Sequence, residues 1–187
     1  MSGRLNISIA AVVALSLAML MAEAALAMDF SILPLGNGVH VVFADGEIVA
    51  GDAERLRIAL RSADRDIYGK KEIALNSGGG LVGEAFAMVA LMDQEKVSTI
   101  VPPGASCASA CAQILFFAGI PRMVLDGGRL GMHSCSVGEQ HVRDDLCNER
   151  IAQNALEHGT AYGSVMAFMR CPGWWMRRAA PASGDLM

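Results

Sequence analysis

Three stretches of this chain gather the residue types that chemistry needs: Asn76-Ser77-Gly78-Gly79-Gly80, Cys107-Ala108-Ser109-Ala110-Cys111, and Gly131-Met132-His133. A serine hydroxyl attacks an acyl carbon once a neighbouring base takes its proton, and histidine is the usual base. Ser109 is a candidate nucleophile, and His133 stands at the end of a strand-like segment two dozen residues on. The reaction builds negative charge on the acyl oxygen, which main-chain N–H groups can hold where no side chain blocks them. The glycine run meets that need, and so does a helix start after Ser109, whose dipole favours an anion beside the Ala110 N–H. Each feature also has a plainer use: glycines in a tight strand-to-helix turn, serine as a helix cap, histidine as a hydrogen-bonded structural residue. The glycines form neither a dinucleotide fingerprint, lacking the GxGxxG spacing, nor a phosphate loop, since no Gly-Lys-Ser/Thr follows.

Strands must end at the glycines and at His133, and a helix must begin near Ser109. The hydrophobic pattern supplies them. Val39 to Phe43 and Glu47 to Ala50 flank Asp45-Gly46, a hairpin signal, and Asp52 is placed to cap a helix with Leu56, Ala59, Leu60 and Ala63 on one face. Ile73 to Leu75 is a short buried strand before the glycines, and Ala85, Met88, Val89 and Met92 repeat at helical spacing after them. Val97 to Val101 reads as a strand stopped by Pro102-Pro103-Gly104. Ala110 to Ala118 reads as a buried helix closed by Gly119, and Met123 to Leu125 and Leu130 to Met132 as strands. Two helices follow near 148–158 and 164–170. Strands alternating with helices predict an α/β domain with helices packed on a sheet.

Residues 1–27 stand apart. Arg4 precedes an apolar run from Ile7 to Met21, and Ala25-Leu26-Ala27 offers small residues at a cleavage site. We expect a signal peptide over 1–27, with an uncleaved anchor as the competing reading, and one domain over 28–187. No later run is apolar enough to span a bilayer, so the mature chain is expected to be periplasmic or secreted and free of the membrane. A net charge of −4 with no basic run argues against a nucleic-acid partner.

All five cysteines lie in the second half of the chain. In an oxidising compartment Cys135 with Cys147 closes a short loop as a disulfide, while Cys107 with Cys111 requires the backbone to bring their Cα atoms close. A CxxxC pair is not the CxxC of disulfide oxidoreductases, although a redox pair around Ser109 is a third reading. No CxxC pair exists to hold a metal, and no cofactor or metal is expected.

Together the motifs resemble a known family. "LNSGGG", then "GASCASAC" opening an apolar helix that ends "FFAG", then "GRLGMHS" is similar to the proteolytic subunit of the Clp protease and its exported relatives, in the Clp/crotonase superfamily. "ADGEIVAGDAERL" is similar to that family's first strand, turn and helix, so the likeness covers about residues 38–134. It implies repeated ββα units with helices packed on the sheet, Ser109 as nucleophile, His133 as base, and the N–H groups of Gly80 and Ala110 as oxyanion donors. It implies further a serine peptidase acting on peptides or unfolded segments, and a homo-oligomer. Without ATP outside the cytoplasm, the activity would be ATP-independent.

The chain departs from that family in two places. Gly78 stands where the family has proline. No acid occurs in "MRCPGWWMRRAAP", residues 169–181, where the family's aspartate should fall, and the part from about 172 is atypical. Asp126, Asp144, Asp145 and Asp185 are the remaining candidates to orient His133, and Trp174 and Trp175 are expected to be packing or partner contacts. A lysine base is discounted, since Lys70, Lys71 and Lys96 all precede Ser109 outside any motif. The rival reading is an inactive member of the fold that binds peptides or partners through the glycine pocket. An acyl-CoA site is disfavoured by export.

Overall fold

The computed structural model describes residues 27–36, 38–137 and 142–170, and the main chain of 175–178. Strand β1 (Asp29–Pro34) pairs antiparallel with β2 (His40–Asp45). Helix α1 (Asp52–Ser62) carries the chain to β3 (Lys71–Asn76), and α2 (Val82–Glu95) carries it to β4 (Val97–Val101), each strand parallel to the one before. After β5 (Ser106–Ala108) and the π-helical α3 (Cys111–Phe116), β6 (Arg122–Val124) adds parallel to β4. The main sheet is thus ordered β1-β2-β3-β4-β6.

A second, smaller layer crosses the same ends of these strands. Ile48 bridges Gly80, Ser77 bridges Cys107, and β5 pairs parallel with β7 (Arg129–Met132). From β2 on, each main-sheet strand is therefore followed by a short segment in the second layer, and β2, β3 and β4 then by a helix. This is the repeated ββα arrangement of the α/β class.

The remainder is a small hairpin of β8 (Ser136–Val137) with β9 (Val142–Arg143), then α4 (Asp145–Glu157) and α5 (Tyr162–Arg170). Last comes β10 (Trp175–Arg178), whose main chain pairs antiparallel with β7.

The parallel strands are covered on both faces, which is why β3 reads as an unbroken buried run of Ile73, Ala74 and Leu75. Leu56, Ala59 and Leu60 of α1 and Ala85, Met88, Val89 and Met92 of α2 are buried in one core with Ile114 and Leu115 of α3. Each fully buried Leu, Ile or Met side chain contributes about 1.5–3 kcal/mol. Among the described residues no helix is long and apolar enough to cross a membrane. The expected signal segment lies outside the described residues except for Ala27.

Two local expectations are corrected. Asp45-Gly46 is not a hairpin: Gly46 donates its N–H to Asn76 O, and the chain runs on to lock Ile48 N–H onto Gly79 O. The reversal lies upstream, between β1 and β2, and β1 itself goes unpredicted. Asp52 is not the N-cap of α1, a position taken by Gly51 at φ +90°. Its buried carboxylate instead accepts the Val49 N–H at 2.6 Å and pairs with Arg55, while burial pushes its pKa up.

Candidate active site

Parallel pairing of β5 with β7 explains the spacing of Ser109 and His133. Ala108 lies opposite Gly131, so the residues just past the two strand ends emerge side by side. Ser109 extends the ladder by one bond, its N–H donating to Gly131 O at 2.9 Å. It then turns left-handed, at φ +53°, before α3 begins. A non-glycine residue in that region costs about 1 kcal/mol or more, a strain found mainly where function needs it. The helix-capping alternative is not what the side chain does. No side-chain cap bond starts α3, and Ser109 Oγ lies 2.8 Å from His133 Nε2. Both residues are partly accessible.

The other nitrogen of the ring fixes its tautomer. His133 Nδ1 lies 2.7 Å from Ser134 O, which can only accept, so Nδ1 carries the proton and Nε2 presents its lone pair to the serine hydroxyl. The main chain around His133 is itself held. Gln113 Nε2 donates to His133 O at 2.5 Å, and Ser134 Oγ donates to Met169 O at the end of α5. Arg143 Nη1 donates to both Ser134 Oγ (3.2 Å) and Met169 O (3.1 Å). Of the aspartates considered for orienting the ring, Asp144 caps α4 by accepting the Cys147 N–H. Asp145 pairs with Arg143, which holds its carboxyl below the usual range. Asp185 lies outside the described residues.

The five residues from Asn76 to Gly80 do four different jobs. Asn76 ties the end of β2 to the start of β5, donating from Nδ2 to Asp45 Oδ1 and accepting the Ser106 N–H. Ser77 Oγ accepts the Gly79 N–H at 3.1 Å, and its main chain ladders with Ser106 and Ala108. Gly79, at φ +101°, presses on the nucleophile: a Cβ built there would lie 2.6 Å from Ser109 Cβ and 2.9 Å from Ala110 N. Gly80, at φ +140°, lies against the Ile48 main chain with equally little room. Only Gly78 faces open space. The Gly80 and Ala110 N–H groups have no hydrogen-bond partner among the described residues, and both belong to segments flanking Ser109.

Disulfides join Cys107 to Cys111, with Cα atoms 5.3 Å apart, and Cys135 to Cys147, at 5.9 Å. The first encloses Ser109 between β5 and α3. The second closes the loop that carries β8, β9 and Arg143. Cys107 and Cys111 are fully buried. Among the described residues no three His, Cys, Asp or Glu side chains gather as a metal would require. Sequence reasoning missed Gln113, Ser134 and Arg143. Gln113 had a signal, a lone amide inside the apolar run from Ala110 to Ala118, and it is buried.

No protein-family model and no curated protein matches the sequence. Among solved structures, the chain is similar to the ClpP protease catalytic domain from Plasmodium falciparum. The match has a TM-score of 0.55 at 16% identity, covering 72% of this chain and 75% of that one. At that identity the likeness speaks for architecture alone, and the chain has a ClpP-like fold.

Proposed function

We propose that this chain is an exported serine hydrolase that cleaves peptides or unfolded segments without ATP. The observation that carries the reading is a serine held left-handed at φ +53° with its Oγ 2.8 Å from a histidine Nε2. In the reaction, Ser109 Oγ bonds to the peptide carbonyl carbon as its proton passes to His133 Nε2. The displaced carbonyl electron pair becomes an oxyanion, received by the N–H groups of Gly80 and Ala110. Breaking the C–N bond returns the proton from Nε2 to the leaving amine. Water, deprotonated by the same nitrogen, then attacks the Ser109 ester carbon; the ester C–O bond breaks as Nε2 returns that proton to Ser109 Oγ, and the acid is released.

Two disulfides in a 187-residue chain support an oxidising compartment, and with it export, where ATP is scarce. Self-association into a homo-oligomer rests on the resemblance to the Clp family and its ring assemblies.

The test is a fluorophosphonate probe on the purified protein, with Ser109→Ala and His133→Ala as controls and mass spectrometry to place the adduct. A phosphonyl group on Ser109, absent in the first variant and at least a hundredfold slower in the second, is the expected result. A folded protein that takes no label would instead be a binding protein built on this fold.

A further inference from the structure

The missing aspartate leaves open what orients the base. We propose that the third member of the catalytic unit is a main-chain carbonyl, Ser134 O, with Arg143 and Gln113 as positioning residues that hold the groups on either side of it. The inference rests on the serine-hydrolase reading and deepens it.

A third member has two tasks. It must keep the proton on Nδ1 so that Nε2 is a base, and it must offer a negative dipole to the imidazolium that forms when Nε2 takes the serine proton. A carbonyl oxygen at 2.7 Å does both, with a partial charge where the aspartate would bring a full one. It works only if the carbonyl cannot swing away, because Ser134 is adjacent to His133 and its peptide plane is free to rotate unless tied. Three ties restrain it. The most direct is on its own peptide plane, where the Cys135 N–H donates to Asn148 Oδ1 at 2.8 Å, and the other two hold the groups beside it. On one side, Gln113 Nε2 holds His133 O at 2.5 Å. Gln113 belongs to the helix that starts from the nucleophile, and its own N–H donates to Ser109 O at 2.9 Å. The same residue therefore grips the main chain of both partners and sets their separation. On the other side, Ser134 Oγ donates to Met169 O, and Arg143 Nη1 bridges those two oxygens. Arg143 stands on β9, inside the loop closed by Cys135 and Cys147.

This arrangement also gives Gln113 a use that packing does not. An amide 2% exposed inside an apolar helix costs desolvation, which its bond to the His133 carbonyl offsets. Gln113→Met fits nearly the same space and removes the amide that donates to His133 O.

The experiment compares the full chain with Gln113→Met, Arg143→Met and Arg143→Lys. One measurement is the ¹⁵N–¹H correlation spectrum of histidine side chains, which reads the ring tautomer whether or not the protein is an enzyme. The other is the fluorophosphonate labelling rate at Ser109. We expect the unsubstituted chain to show His133 as a single Nδ1–H tautomer, and Gln113→Met and Arg143→Met to show mixed tautomers. Labelling should fall about 10–100-fold in both, the loss that a misplacement near 1 Å brings. Arg143→Lys, with a single cationic centre in place of the fork, should recover part of the rate. Unfolding midpoints separate this from loss of fold. A proton found on Nε2 in the unsubstituted chain, or variants that keep both the tautomer and the labelling rate, would overturn the proposal. If the unsubstituted chain takes no label yet the tautomer shifts as stated, the positioning stands and the hydrolase reading fails.

Discussion

Gly79→Ala should press directly on the nucleophile. The new methyl would sit 2.6 Å from Ser109 Cβ, 2.8 Å from Ala108 O and 2.9 Å from Ala110 N. Carbon atoms in contact prefer about 3.5–4.0 Å, so Ser109 or the glycine loop must retreat by about 1 Å. Two of the three atoms struck are main chain and cannot swing aside. Overpacking of this kind costs about 1–3 kcal/mol, and an alanine at φ +101° adds about 1–2 kcal/mol. A loss of about 3 kcal/mol lowers the unfolding midpoint by roughly 6–12 °C in a domain of this size. The displaced nucleophile should label about a hundredfold more slowly.

Gly78→Ala is the control, since its methyl meets open space and its φ is not left-handed. It should raise stability by about 0.4–1 kcal/mol and leave labelling unchanged. Calorimetry and probe kinetics on the two variants give the answer. Equal behaviour of Gly78→Ala and Gly79→Ala would refute the reasoning, because it would mean that Gly79 does not touch Ser109.

Two further outcomes are expected. Replacing Cys135 and Cys147 with serine opens a loop of about a dozen residues and should cost about 2–4 kcal/mol in denaturant unfolding. Lys71 and Arg65 hold Glu95 below its ordinary pKa of 4.5, Lys71 having the larger effect, so the pair stabilises the fold above that pH and loses its contribution as pH falls further. Glu95→Gln should therefore flatten the dependence of stability on pH below about 4.5, measured by urea midpoints across that range.

The long elements were legible because a helix face repeats over many residues. Ala85, Met88, Val89 and Met92 marked α2, and all four are buried. Val97 to Val101 was read with the bounds that β4 has. Of the second layer, Leu130 to Met132 shows as a strand and matches β7, but the layer as such was hidden because its other segments are only one to three residues long, too short for any period to register. That is also why Asp45-Gly46 misled: a glycine that hands the chain between layers carries the same signature as a hairpin turn. β1 escaped because Asp29–Pro34 ends in proline and does not alternate cleanly. At the site, Ser109 and His133 stood out by residue type and order. Apart from the lone amide of Gln113, the restraint on His133 runs largely to main-chain carbonyls, and a carbonyl leaves no trace in a sequence.

The disulfide around Ser109 makes the two main-chain donors assigned to the oxyanion mechanically unequal. Ala110 and the nucleophile share one covalent ring from Cys107 to Cys111, so they move as a single body. Gly80 is on a different segment, joined to that ring only through hydrogen bonds and the close contact at Gly79, and next to it Gly78 leaves the hinge side unpacked. Any breathing of the pocket would then open the gap between the jaws while the main chain of Ser109 and Ala110 stays together. A ligand that tightens the site would do so by pulling in the glycine jaw.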